Sequence, residues 1–471
     1  MRPAPGRAAA PAQLLRSLGL GDATLLIIGC IVGVGIFRTS SSIAAHVPSP
    51  ALILALWLIG GAVSLCGALC YAELAAMFPR SGGDYVYISE IYGRFWGFLF
   101  GWTKLFVERT GTIAILAFVF AEYLGRMVPL SAGAMRAIAT AAILLLTAVN
   151  VLGIRWGTLV QNVFTILKIG ALAAVIAAGV WIASGGAQPL GDGLTAGAGG
   201  VDWSLGPLEP SMLPAMGVAF VFVLWTFGGW TESAYVADEV RDPTRNIPRS
   251  IIRGLLAVTG LYILVNWSYL VAIPAPLLAE RPLVAADTLQ AAIGGAGTTL
   301  ISAMVVCSAF GALNGYILTG ARILYALGRD HEIFARLGAV HPRFRTPAVA
   351  LWMNAAIAIA LVLTRTFDQI MIYSTVAISV FFTMAVYGLI LLRRTRPDAT
   401  RPYRAWGYPF SPILYCLVMA AFILSVCAKE PEQAVFGFAW LAAGAPLYWA
   451  SLRLTRSSPG PADAASGRAA S

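Results

Sequence analysis

The strongest constraint on this chain is a series of long apolar stretches that recurs along nearly its whole length. Many reach about 18 residues or more, which is enough for a helix to cross the hydrocarbon core of a bilayer. Charged residues make up only 11% of the 471 residues, too few to cover a soluble protein of this size. The sequence therefore predicts an all-α polytopic membrane protein, because backbone polar groups in lipid need partners within the chain.

The apolar stretches predict twelve membrane spans, which we number in chain order. They lie near 22–46, 51–78, 95–125, 134–152, 158–184, 212–237, 254–273, 297–321, 347–363, 368–392, 409–428 and 434–452. The loops between them leave no room for an inserted soluble domain. The Arg-, Ala- and Pro-rich N-terminus does not have the pattern of a cleaved signal peptide.

Basic residues are distributed unevenly between the loops. Arginine clusters in alternate loops, for example at 241–253, 329–345 and 393–404, whereas the intervening loops together carry only the basic residues Arg126, Arg136, Arg281, Arg365 and Lys429. Since arginine-rich loops stay on the cytoplasmic side, this alternation predicts cytoplasmic termini and an even number of spans. The net charge of +10 comes from these loop arginines, which orient the chain in the cell's inner (plasma) membrane. No basic tract indicates a nucleic-acid partner.

Spans 1 and 6 each contain a glycine cluster near the middle, with Gly29, Gly33 and Gly35 in the first and Gly228 and Gly229 in the second. Glycine weakens a helix interior by about 1 kcal/mol, so each cluster predicts a break. Close helix packing explains one such cluster equally well, but corresponding clusters in two halves favour paired breaks beside a binding site. The amides freed at a break can bind a carboxylate, and the freed carbonyls can bind an ammonium group.

Further motifs follow in order along the chain. They are GVGIF at 33–37, YAEL at 71–74, SGGDY at 81–85, FGGW at 227–230, DEVRDP at 238–243 and RPYR at 401–404. In these motifs, over roughly residues 18–430, the chain resembles the amino acid–polyamine–organocation superfamily, nearest its bacterial L-amino-acid-transporter-like permeases.

The resemblance implies a LeuT-type fold of two inverted repeats, spans 1–5 and 6–10, with broken helices in spans 1 and 6. It divides the chain into a cytoplasmic N-terminal segment (1–20), an inverted-repeat transport core (21–393), spans 11 and 12 (394–455) and a disordered cytoplasmic tail (456–471).

The resemblance also implies where a substrate binds. The substrate carboxylate would meet backbone amides, and its amine would meet backbone carbonyls; the amides are those of Gly33, Val34 and Gly35, and the carbonyls those of Ile31, Trp225 and Gly228. Trp225 and Trp230 would gate or shape the pocket, or else pack as ordinary aromatic side chains.

The chain departs from the family pattern at two places. Arg38 stands where a neutral residue is usual, and we expect it to extend toward the outer water, with an approach to the substrate route as the alternative. Thr231 and Glu232 stand where the L-amino-acid-transporter branch usually has a pair of residues with an amide side chain. These two positions face the side-chain pocket in relatives. We expect Glu232 to influence substrate choice, so substrate identity does not follow from the resemblance.

Ionisable residues inside membrane helices are candidates for function because their insertion is costly. Lys168 lies midway along span 5, in a chain whose other lysines are Lys104 and Lys429. Lysine, unlike arginine, can lose its proton when desolvated. The resemblance implies that Lys168 occupies the place of a sodium site. From there we expect it to reach carbonyls near the break at Cys30–Val32 and Ser308 on span 8. A purely structural amine is the alternative.

The other buried charges have simpler interpretations. Glu108 and Arg109 are adjacent on span 3 and point about 100° apart if the helix is regular, so they need not pair with each other, and we expect each to anchor an internal network. Glu73 and Glu239 lie near cytoplasmic ends and are expected to contact arginines of the inside loops.

The sequence thus predicts a sodium-independent secondary transporter of amino acids, either proton-coupled or exchanging. A polyamine or amine exchanger on the same fold is the alternative. Abundant acidic residues in the pocket would favour it, and Glu232 is the only acidic pocket residue that the sequence indicates. No phosphate-binding motif indicates ATP drive, and we expect neither a catalytic centre, a cofactor nor a bound metal.

Overall fold

The computed structural model describes residues 19–47, 49–78, 83–152, 157–186, 200–205, 209–230, 240–330, 332–344 and 346–457. Most of the described chain is helical. In order, the helices are α1 (Leu20–Ile31), α2 (Thr39–Ala44), α3 (Pro50–Met77), α4 (Gly83–Tyr92), α5 (Arg94–Thr103), α6 (Thr110–Met127), α7 (Ala132–Val151), α8 (Gly157–Trp181), α9 (Leu213–Thr226), α10 (Pro243–Ala272), α11 (Ala275–Leu278), α12 (Val284–Ile293), α13 (Gly295–Asp330), α14 (Ala348–Thr364), α15 (Phe367–Thr395), α16 (Phe410–Lys429) and α17 (Pro431–Ser457).

Several predictions concern residues outside this description. Glu232 and Glu239 are among them, as are nearly all of the N-terminal segment and the tail. Their roles stay predictions.

The membrane spans agree with the apolar stretches of the sequence. Eight of the described helices are long and apolar enough to cross a membrane, and four shorter apolar helices accompany them. Spans 2, 4, 5 and 7 to 12 each correspond to one helix, whereas spans 1, 3 and 6 are interrupted. The prediction missed α4, α11 and α12, because these loop helices are too short to register as spans.

The two halves of the core pack as inverted repeats. The most extensive interfaces join α3 to α10 and α6 to α13, which occupy the second and third positions of the two halves. The fourth positions, α7 and α14, also meet, as do α2 and α9 beside the two breaks. Contacts between equivalent helices are what a two-fold axis between the repeats produces, and the fold is the LeuT-type inverted repeat.

Span 3 is interrupted by one π turn, Lys104–Arg109, between α5 and α6. A π turn bonds residues five apart and occurs mostly as a single turn inside an α-helix, frequently at a functional site. A π turn brings residues i, i+4 and i+5 toward one face of the helix, here Lys104, Glu108 and Arg109. In a regular α-helix residue i+5 would point away from that face.

A buried carboxylate ties the C-terminal ends of α3 and α15 together. Glu73 is fully buried and accepts hydrogen bonds from both Nε and Nη2 of Arg393 and, at 2.7 Å, from the backbone amide of Ala405. Arg401 Nε lies 3.5 Å from the same carboxylate. We call these four residues the Glu73 anchor, and they confirm that Glu73 contacts arginines of the arginine-rich segment 393–404.

Candidate substrate site

The first break separates α1 from α2. Helix α1 ends at Ile31, and a short 3-10 turn, Gly35–Phe37, restarts the helical path after Val32, Gly33 and Val34. Amides at the start of a helical segment lack an intrahelical partner, so Val34 and Gly35 present donors here. The sequence predicted this break at the correct glycines.

Gly35 is required by a close approach between the two broken helices. A Cβ atom at this position would lie 2.5 Å from Cζ3 of Trp225 and 3.3 Å from Oγ1 of Thr226. A side chain there would have to displace the Trp225 ring. Glycine is therefore needed at position 35 for close contact with span 6, in addition to the conformational freedom that it gives the backbone at the break.

The second break follows the end of α9 at Thr226. The Gly228 amide donates to Trp225 O at 2.9 Å, and Gly229 adopts a φ of 103°, which favours glycine. A Cβ atom at Gly229 would lie 2.6 Å from the carbonyl oxygen of Cys30, so the two breaks touch.

Tyr262 of α10 links the two broken helices. Its hydroxyl is buried and lies 2.9 Å from Ile31 O and 3.2 Å from Thr226 O, where its single hydrogen is shared between the two carbonyls. The hydroxyl groups of Thr39 and Thr226 are also hydrogen-bonded, at 3.1 Å. These bonds satisfy part of the backbone that each break exposes.

A cavity of about 370 Å³ lies where the breaks meet. Its lining includes most of the residues that the resemblance places at a substrate, namely Ile31, Gly33, Val34, Gly35, Trp225, Gly228 and Trp230. Trp230 also packs edge-on against Tyr71, with ring centroids 4.9 Å apart, so it is both a packing residue and a wall of the cavity.

Lys168 of α8 lines the same cavity and is buried. Among the described residues its ammonium group has no ion pair, and Cys30 at the end of α1 lines the cavity with it. Ser308 is buried on α13 and is not among the residues that line the cavity. The structure therefore places Lys168, but not Ser308, in the lining of this cavity.

The structure adds a charged cluster that the sequence interpretation did not assign to the cavity. Lys104, Glu108 and Arg109 all line it, with Glu108 Oε1 lying 3.6 Å from Lys104 Nζ and Glu108 Oε2 lying 3.4 Å from Arg109 Nε. We call them the π-turn cluster. The sequence interpretation, in which Glu108 and Arg109 need not pair, assumed a regular helix, whereas a π turn occurs here and the two side chains pair. The spacing of four residues between Lys104 and Glu108 was the sequence feature from which an ion pair between them could have been predicted.

Arg38 is buried, and the expectation that it extends toward the outer water is wrong. Its Nε donates to Glu122 at 3.0 Å, its Nη1 donates to Ser42 at 3.1 Å, and its guanidinium lies 4.6 Å from the Phe367 ring centroid. Ser42 in turn donates to Asp368 at 2.8 Å. No local pattern shows this pairing, because Glu122 lies on span 3 and Asp368 on span 10.

A central cavity between two broken helices of an inverted repeat is the substrate site of a membrane carrier. A family model for amino acid permeases matches residues 18–447. The chain is 32% identical over 406 residues to the serine/threonine exchanger SteT of Bacillus subtilis, covering 85% of this chain and 89% of the relative.

Animal transporters are similar to the same degree. The b(0,+)-type amino acid transporter 1 of Mus musculus is 33% identical, with 89% of this chain and 84% of the relative covered. The large neutral amino acids transporter small subunit 2 of Rattus norvegicus is 31% identical, with 93% and 80% covered. The chain belongs to the amino acid permease family and is a multi-pass membrane transporter of amino acids; the amine alternative is not favoured.

Proposed function

We propose that the protein exchanges amino acids across the cell's plasma membrane without sodium, with both termini in the cytoplasm. The observation that carries this proposal is that both helix breaks and Lys168 line one cavity. The relatives named as exchanger and amino acid transporters support the substrate class. The arginine-rich alternate loops support the orientation.

In this proposal the substrate carboxylate binds the amides of Val34 and Gly35, because the Gly33 amide, the third that the resemblance implies, already donates to Ile31 O. A carbonyl oxygen has two lone pairs, and Ile31 O already accepts from Gly33 N at 2.8 Å and from Tyr262. We therefore assign the substrate amine to the carbonyls of Trp225 and Gly228, the other two that the resemblance implies.

Lys168 takes the place of a sodium ion in the proposal. An ammonium group supplies one positive charge and three donors, which suits backbone carbonyls freed at the end of α1. Lys168 is buried and lines the cavity together with Cys30, so its charge lies where a cation would hold the first broken helix. An exchanger works with a permanently charged lysine, whereas proton coupling through Lys168 would require it to titrate.

Counterflow in proteoliposomes tests the proposal. Vesicles loaded with unlabelled amino acids should accumulate labelled amino acid equally in sodium and choline buffers, and empty vesicles should not. A sodium requirement would contradict the assignment of Lys168. Lys168→Ala should lose counterflow, whereas Lys429→Ala, at the end of α16, should retain it. Full uptake by Lys168→Ala would make Lys168 a structural residue only.

A further inference from the structure

A row of aromatic residues runs along one face of span 3. Phe98, Trp102 and Phe106 follow one another at spacings of four residues, so they share this face, and all three are buried. Phe106 belongs to the π turn, and Trp102 comes just before it. The three rings are not among the residues that line the central cavity, whereas the π-turn cluster is. The π turn therefore has a face toward the cavity and a face packed with aromatic rings.

A ring from another part of the chain packs against all three. Phe334 lies in the 3-10 segment Glu332–Gly338, which follows α13. Its ring stacks on Trp102 and on Phe98, with centroids 6.2 Å apart and planes inclined by 27° and 18°. It lies 6.5 Å from the ring centroid of Phe106. We call these four residues the aromatic stack, which joins span 3 to the segment after α13.

Span 12 supports the aromatic stack from another side. Trp102 Nε1 donates to Trp440 O at 2.8 Å, and a Cβ atom at Gly444 would lie 2.8 Å from Cδ1 of Trp102. The Trp102 and Phe106 rings are in contact, with centroids 4.1 Å apart. Trp102 is thus fixed to α17, and Phe334 packs on the rings that lead into the π turn.

The aromatic stack supports a helix geometry that is uncommon by itself. A π turn is rare and occurs mostly as a single turn, so its surroundings have to favour it over a regular α-helix. Conversion to a regular α-helix would rotate the two parts of span 3 relative to each other by about 100°, the angle of one residue. Span 3 would then not keep both the aromatic stack and the cavity wall in place. Close packing around Phe106 opposes this change.

We propose that Phe334 is a positioning residue for the substrate site. It holds the π turn in place through Trp102 and Phe106, and thereby fixes the side chains that the π turn presents to the cavity. Phe334 is not among the residues that line the cavity, so its effect on a substrate passes through span 3. The inference rests on the proposed exchange function and adds a residue outside the site that determines its geometry.

Exchange kinetics separate a positioning role from a purely structural one. Proteoliposomes loaded with the twenty amino acids are assayed with the labelled amino acid that the wild type exchanges fastest. Phe334→Ala should raise KM about three- to tenfold, as the loss of an aromatic contact implies. A variant that only folds less well would lose maximal rate at an unchanged KM.

Two conservative variants keep the test valid if Phe334→Ala folds poorly. Phe334→Leu retains an apolar side chain without a ring, and we expect it to raise KM in the same direction by a smaller factor. Phe334→Tyr retains the ring and should restore the wild-type KM.

Phe344→Ala is the matched control. Phe344 lies in the same connection between α13 and α14, is half-buried, and packs its ring on His341, so its removal should leave KM unchanged. A double variant tests the route of the effect. In a Phe106→Leu background, Phe334→Ala should raise KM less than in the wild type, because the contact with Phe106 is already lost.

Four results would overturn the inference. An unchanged KM in both Phe334→Ala and Phe334→Leu would do so and leave the exchange function intact. Equal rises in KM for Phe334→Ala and Phe344→Ala would show that the connection as a whole, and not the aromatic stack, affects the site. Additive effects of Phe334→Ala and Phe106→Leu would show that Phe334 does not act through the π turn. Absence of exchange by the wild type would remove the inference together with the exchange function.

Discussion

Two carboxylates in this protein each face two cations, but in different surroundings. In the Glu73 anchor, both carboxylate oxygens accept hydrogen bonds, and the carboxylate is fully buried. In the π-turn cluster, the Glu108 side chain is 19% exposed, its ion pairs are 3.4 and 3.6 Å long, and its Oε2 accepts no hydrogen bond among the described residues.

The difference lies in how completely each carboxylate is bound by the protein. Three hydrogen bonds hold Glu73, and its partners join α3, α15 and the segment before α16. Glu108 lines the central cavity, and its Oε2 accepts no hydrogen bond among the described residues. Two carboxylates that each face two cations therefore differ in the satisfaction of their hydrogen bonds, and we expect them to differ in their contribution to stability.

The largest effect on stability is expected from Glu73→Gln. The substitution leaves Arg393 and Arg401 without their buried counter-charge, which typically costs about 3–5 kcal/mol. Chemical denaturation in detergent micelles should show this loss and a lower yield of folded protein. A change below about 1 kcal/mol would mean that Glu73 is not an anchor.

A smaller loss is expected from Arg38→Gln, which tests a pair of intermediate burial. Its side chain is 11% exposed and that of Glu122 is 22% exposed, so water reaches the remaining carboxylate in part. The free energy of unfolding should fall by about 1–3 kcal/mol in the same assay. A loss as large as that of Glu73→Gln would remove the distinction between this pair and the anchor.

Tyr262→Phe should cost about 1 kcal/mol of stability, because one shared hydroxyl hydrogen is lost between Ile31 O and Thr226 O. Since these carbonyls belong to the two breaks, substrate affinity should fall several-fold in competition assays. Tyr387→Phe removes an exposed hydroxyl and is the matched control. Equal affinities for both variants would show that the link between the breaks does not shape the site.

Glu108→Gln is the direct counterpart of Glu73→Gln and tests the comparison itself. The Glu108 side chain is 19% exposed and its ion pairs are 3.4 and 3.6 Å long, so the free energy of unfolding should fall by less than it does in Glu73→Gln. Severe destabilisation would place Glu108 with the anchors and contradict the comparison.

The sequence predicted those features whose cause is local. Apolar stretches located the spans, and glycines at 33, 35, 228 and 229 located both breaks, because a helix interior rarely retains such clusters without a reason. Lys168 stood out as a lysine in an arginine-rich chain, and it lines the cavity.

The features that the sequence did not reveal depend on distant partners or irregular helix geometry. The pairing of Arg38 with Glu122 joins residues 84 positions apart. The π turn that turns Glu108 and Arg109 toward the cavity has no periodic signature, since regular periodicity places them on different faces. Short loop helices such as α4 carry too few apolar residues to be recognised as elements.

The central claim is that an amino acid binds where the two broken helices meet, and Gly35→Leu tests it most directly. Its side chain would collide with Trp225, 2.5 Å from the nearest ring atom, and would fill the space before the amides of the first break. Gly260→Leu, at an open position on α10, is the matched control. We expect Gly35→Leu to insert and purify normally but lose amino acid counterflow, while Gly260→Leu retains it. Counterflow with wild-type affinity in Gly35→Leu would contradict the account.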